Sequence, residues 1–134
     1  MRLCFNIMGI LKVEIDYNVS DALEIIKKFL KDNKINIFGI IDHRKNAIDA
    51  GMDMNDETLI MFGSPAVGTG IMIESPEIGI ELPTKILLYS INDKTYAVYK
   101  NIKDLEQEYG ITKNKESLEK LDGLINKIIN MLKK

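Results

Sequence analysis

The sequence predicts an α+β fold: a single compact domain with a mixed sheet of about five strands and helices packed on it, in the order β-α-β-α-β-β-β-α-α. Three observations predict it. Leu11, Val13, Ile15 and Tyr17 alternate with Lys12, Glu14 and Asp16, the pattern of a strand with one wet face. Val19, Ala22, Leu23, Ile26, Phe29 and Leu30 recur at the spacing of an amphipathic helix. Two apolar runs without alternation, Thr58–Phe62 and Ile86–Tyr89, read as strands covered on both faces.

Bulk properties narrow the function classes. A chain of 134 residues with 46% hydrophobic and 28% charged residues is an ordinary globular domain that can bury a core. A net charge of −2 argues against a phosphate-binding surface and therefore against nucleic acid as the partner. No apolar run approaches the length of a membrane span, so a soluble protein without membrane contact is expected. The lone Cys4 permits neither an internal disulfide nor a cysteine zinc cage, which fits a cytoplasmic location. With a single histidine and scattered carboxylates, no metal site and no cofactor are implied. The N-terminal stretch Ile7–Leu11 lacks a small-residue cleavage site and reads as the lead into a strand, not as a signal peptide.

The remaining elements follow in order. Ser20 or Asp21 can cap the first helix, and Asp21 with Glu24 has capping-box spacing. Ile35–Asp42 is a second strand, and Asp42 caps a short helix over His43–Ala50 that Gly51 ends. Between the two apolar runs lies a linker holding all three prolines and four of the nine glycines. It is too apolar (Ile71, Met72, Ile73, Ile78, Ile80, Leu82) for a solvated loop and should fold back on the sheet, with a helical piece near Gly68–Glu74. Lys85–Ile91 and Thr95–Tyr99 form a hairpin around Asn92-Asp93-Lys94. A short helix near Lys103–Tyr109 stops at Gly110, and a longer one runs from Lys115 to Lys133 with Leu118, Leu121, Ile125, Ile128 and Leu132 as its stripe.

Candidate chemistry concentrates near two strand ends. Gly63-Ser-Pro-Ala-Val-Gly68-Thr69 has the glycine spacing of a phosphate loop, but the lysine before the hydroxyl residue is missing and Pro65 removes an amide donor. His43 follows Asp42 directly, and neighbours at a helix start do not face each other as a dyad. Parallel neighbouring strands would bring Asp42 and His43 beside Ser64 and Thr69 at one end of the sheet. The candidate ligand-binding residues are therefore Asp42, His43, Gly63, Ser64, Pro65, Gly68, Thr69 and Met72. No catalytic residue is named.

The order of these motifs resembles an uncharacterised family, the domain of unknown function numbered 302. The carrying residues are Leu59–Phe62, Gly63-Ser64-Pro65, Gly68-Thr69, Met72 and Glu81-Leu82-Pro83-Thr84-Lys85, with Asp42-His43 and Ala50-Gly51 upstream and Tyr99 and Leu105–Gly110 downstream. Departures from the family pattern include Ser64 for asparagine, Asp56-Glu57 for Pro-Thr, Glu81 for aspartate, and Tyr109 where a histidine is common. The resemblance implies a compact α+β domain, often a homodimer, with no assigned activity. It spans about residues 9–111, so 112–134 reads as a C-terminal helical extension packed on the core or at a dimer contact. Biochemical activity is unknown from sequence. The preferred expectation is a small-ligand-binding or regulatory domain whose pocket is lined by residues 63–83. The alternatives are a small enzyme using His43 as general acid or base, and a purely structural homodimer.

Overall fold

The computed structural model describes residues 9–134 in full and the backbone of residues 4–7. The side chain of Cys4 lies outside the described residues. Six strands form one sheet in the order β1-β2-β6-β5-β4-β3, comprising β1 (Cys4–Ile7), β2 (Ile10–Ile15), β3 (Asn36–Asp42), β4 (Glu57–Gly63), β5 (Thr84–Ile91) and β6 (Lys94–Lys100). The α+β class and the element order agree with the sequence reading. The sheet differs in two respects: β1 adds a strand, and every neighbouring pair is antiparallel. A physical reason lies in the connections. The connection between β3 and β4, which contains α2 (His43–Asp49), leaves and re-enters the sheet at one end, where Asp42 pairs with Thr58, and a return at the same end joins antiparallel strands.

Among the described residues five α-helices accompany the sheet: α1 (Val19–Asp32), α2, α3 (Pro65–Glu74), α4 (Ile102–Glu108) and α5 (Lys115–Met131). Asn18, not Ser20 or Asp21, caps α1, its side chain accepting from the Asp21 amide at 2.7 Å. Asp42 caps α2 through the Lys45 amide at 2.9 Å, and Gly51 beyond it adopts φ +81°. The β5–β6 hairpin turns on Asn92 and Asp93, both with positive φ (52° and 63°), the twist that matches right-handed strands.

Alternation along the strands sends Val13, Ile15, Ile60, Phe62, Ile86, Leu88, Ala97 and Tyr99 to one face, where they join a single core with Ala22, Ile26 and Leu30 of α1. Leu118, Leu121, Ile125, Ile128 and Ile129 of α5, with Leu132 just beyond it, are buried in that same core. β4 is interior, lying between β3 and β5, but it is covered on one face only. Ile60 and Phe62 are fully buried, whereas Leu59 and Met61 are half-exposed on the opposite face. The unbroken apolar run reflects two different environments, a helix-covered side and an open side.

Candidate functional site

Residues 64–83 leave the sheet after β4 and return to it at the same end, because Phe62 of β4 pairs with Thr84 of β5. Pro65 opens α3 at its first position, where its missing N–H would be unpaired anyway, after Ser64 as N-cap. The stretch read as a glycine loop is thus the first half of a helix. A 3-10 turn over Pro76–Ile80 and a cis Leu82–Pro83 peptide complete the excursion.

Between this excursion and the sheet lies a cleft of about 230 Å³, lined by Phe38, Phe62, Gly63, Ser64, Pro65, Gly68, Thr69, Met72, Leu82, Pro83, Thr84 and Leu121. Pro65, Gly68, Thr69 and Met72 recur at helical spacing, so one face of α3 makes a wall. Gly68 leaves that wall open: a Cβ placed there would lie 3.9 Å from both Leu82 and Met72, an ordinary contact. Phe38 reaches the rim because the ladder shifts between Ile37 and Gly39, and a bulge re-aims the unpaired residue. No lining side chain is ionisable. The lining has one unsatisfied group: Thr84 is 4% exposed, and its Oγ1 is buried without a hydrogen-bond partner.

Six of the eight candidate residues line this cleft, and Asp42 and His43 do not. In the antiparallel β3–β4 ladder Asp42 pairs with Thr58, while Gly63 pairs with Asn36. Asp42 and His43 therefore stand at the opposite end of the ladder from Ser64, about 20 Å away by strand rise. The expected cluster of Asp42, His43, Ser64 and Thr69 does not form, because it required parallel strands. For the same reason His43 is remote from Ser64 and Glu81, and Asp42 is committed to capping α2. Sequence reasoning missed Phe38, Phe62, Thr84 and Leu121 as lining residues, while Leu82 and Pro83 fall inside the 63–83 segment expected to line the pocket. Gly39 inside a strand pattern was the available signal for the bulge.

Three polar anchors brace the excursion. The Glu74 carboxylate at the end of α3 accepts from the amides of Thr112 (2.6 Å), Lys113 (3.1 Å) and Asn114 (2.9 Å) and from the Asn114 side chain (2.8 Å). Donation from the Thr112 amide, with the Asn114 side chain and the Lys113 amide, lowers its pKa from the ordinary 4.5 to about 2. The Tyr109 hydroxyl donates to Glu81 Oε2 at 2.7 Å, which pushes its pKa up to about 12, since ionisation would set two anions together. Glu81 and Tyr109 are two of the positions where the chain departs from the pattern it resembles, and they are bonded to each other. Lys85 Nζ donates to the Glu81 and Pro83 carbonyls at 2.9 and 2.8 Å, pinning the segment that forms the second wall.

The family model for Domain of unknown function DUF302 matches residues 11–128, and the chain belongs to that family. The match reaches far into α5, so most of that helix lies inside the family region and not beyond it. The crystal structure of an uncharacterized conserved DUF302 protein from Bacillus stearothermophilus superposes with a TM-score of 0.81, covering 95% of this chain and 100% of that one at 15% identity, which shows the shared fold. A protein from Brucella suis biovar 1 named fluoride-specific ion channel FluC 1 is 32% identical over 81 residues, covering 60% of this chain and 32% of that protein. A namesake from Brucella abortus biovar 1 is also 32% identical over 81 residues, covering 60% of this chain and 30% of its own length. The chain thus spans about a third of the curated relatives it matches. Among the described residues, no helix is long and apolar enough to cross a membrane.

Proposed function

We propose that this protein is a small-ligand-binding, regulatory domain whose binding site is the cleft between α3 and the 82–84 segment. The observation that carries this reading is the cleft itself: an apolar, uncharged recess of about 230 Å³ whose wall is kept open by Gly68. Small-molecule sites are typically apolar recesses with a few placed polar groups, and here Ser64 and Thr69 carry their hydroxyls on exposed residues while the hydroxyl of Thr84 is the buried one. A similar stretch occupies about a third of proteins named fluoride-specific ion channels, as a module carried beside another activity would. The reading keeps the protein in the cytoplasm, as the single cysteine suggested. The test is a thermal-shift panel of neutral metabolites on the native protein and on Gly68→Leu, whose side chain fills the cleft. The expected result is a compound that raises the melting temperature of the native protein alone. Stabilisation of both proteins alike, or of neither across the panel, would defeat the reading.

A homodimer is the second reading, favoured by the open face of the sheet. Val98, Leu87, Leu59 and Ile41 form one continuous cross-strand row there, half-exposed throughout. On one side of this row lie Glu14, Tyr96, Tyr89 and Glu57, and on the other Lys100, Lys85 and Met61. A two-fold axis along the apolar row lays it on its own copy and sets the glutamate flank over the lysine flank. Sedimentation should show a dimer at micromolar concentration that Leu87→Lys converts to monomer. A native monomer would exclude this assembly.

A further inference from the structure

We infer that the occupant of the cleft is a neutral, mainly apolar molecule with a single hydrogen-bonding group, which the Thr84 hydroxyl receives. The inference rests on the cleft being a ligand site and adds the chemistry of what enters. Charge is the first discriminator. The lining contains no ionisable side chain, and an ion brought into such a recess would lose its water without gaining a counter-charge. Lys85 Nζ, the nearest cation to the Pro83 wall, is already held by the Glu81 and Pro83 carbonyls.

Size is the second. A dry cavity of about 150 Å³ accommodates benzene. At about 230 Å³ this cleft admits something larger, on the order of ten non-hydrogen atoms. Phe38, Phe62, Met72 and Leu82 offer it an apolar surround.

The third discriminator is the orphaned hydroxyl. Buried hydroxyls in proteins almost always have a partner, and an unsatisfied one is destabilising. Thr84 Oγ1 has none, although the residue sits on the cleft wall and its neighbours Ile86 and Leu88 on the same face are fully apolar. A valine would fill the same space without that penalty. In this rotamer the Oγ1 has no accessible surface in the cleft, so the hydroxyl meets an occupant as the side chain turns about χ1, and a hydroxyl or carbonyl on an otherwise apolar molecule then completes its bond.

The experiment measures the affinities of phenol and toluene, which match in size and differ by the polar group, for native protein, Thr84→Val and Thr84→Ser by calorimetry. The expected result is that Thr84→Val shifts the phenol-to-toluene affinity ratio about tenfold toward toluene, the loss of one satisfied hydrogen bond, while Thr84→Ser keeps the native ratio. The unliganded Thr84→Val protein should melt at or above the native temperature. An unchanged ratio in Thr84→Val, with both probes still excluded by Gly68→Leu, would overturn the role of the hydroxyl and leave the cleft a ligand site. Failure of both probes to bind native protein at millimolar concentration would overturn the proposed ligand class. Binding that Gly68→Leu does not weaken would overturn the cleft as well.

Discussion

Glu74 shows how much one carboxylate can organise: it closes α3 and collects the amides that lead into α5. Its pKa is lowered in the fold to about 2 from 4.5, so the stability it contributes is complete above the unfolded value. That contribution is lost as pH falls from about 5 toward 2. Denaturation midpoints measured across this range should fall for the native protein and fall less steeply for Glu74→Gln; parallel curves would show that the anchor does not act through its charge. Gly68 makes the opposite kind of prediction. It sits inside a helix with room for a Cβ, so Gly68→Ala should raise stability by about 0.5–1 kcal/mol in urea unfolding. Gly70 differs, because a Cβ there would stand 3.3 Å from Asn114 Oδ1, inside the Glu74 network, and alanine at that position should not stabilise.

At the scale of elements, β4 separates its two faces one residue at a time. Ile60 is fully buried under the helices, so Ile60→Asp places an unpaired charge in the core and should yield no folded protein. Leu59, its neighbour, faces the open side, so Leu59→Lys should fold and change only the assembly state. A folded Ile60→Asp, judged by near-ultraviolet circular dichroism, would contradict the orientation of the strand. The last helix carries a larger consequence. Burying each of Leu118, Leu121, Ile125, Ile128, Ile129 and Leu132 stabilises by about 1.5–3 kcal/mol, together comparable with the roughly 5–15 kcal/mol that holds a domain folded. A chain of residues 1–111 should therefore lack cooperative unfolding, and a native-like truncated protein would restore the view of α5 as an appendage.

For the whole molecule, periodicity made most elements legible, because hydrophobic spacing reports which side of a strand or helix meets the core. Leu11–Tyr17, Val19–Leu30 and the Asn92-Asp93 turn were readable for that reason. Strand direction was not, since spacing within a strand carries no information about its neighbours. The site inherited that limit: the six cleft residues that fall within Gly63–Met72 were found together, while Asp42 and His43 were joined to them only through a parallel pairing that does not exist. Thr84 and Leu121 were invisible as lining residues because they enter the cleft from other elements.

The most direct test of the account is the location of binding, read from backbone amide chemical shifts as phenol is titrated into labelled protein. The account predicts perturbations confined to Gly63–Met72, Leu82–Thr84, Phe38 and Leu121, and absent from Asp42–Asp49 at the other end of the β3–β4 ladder. Shifts centred on α2 or on the open sheet face, with residues 63–84 unmoved, would contradict it.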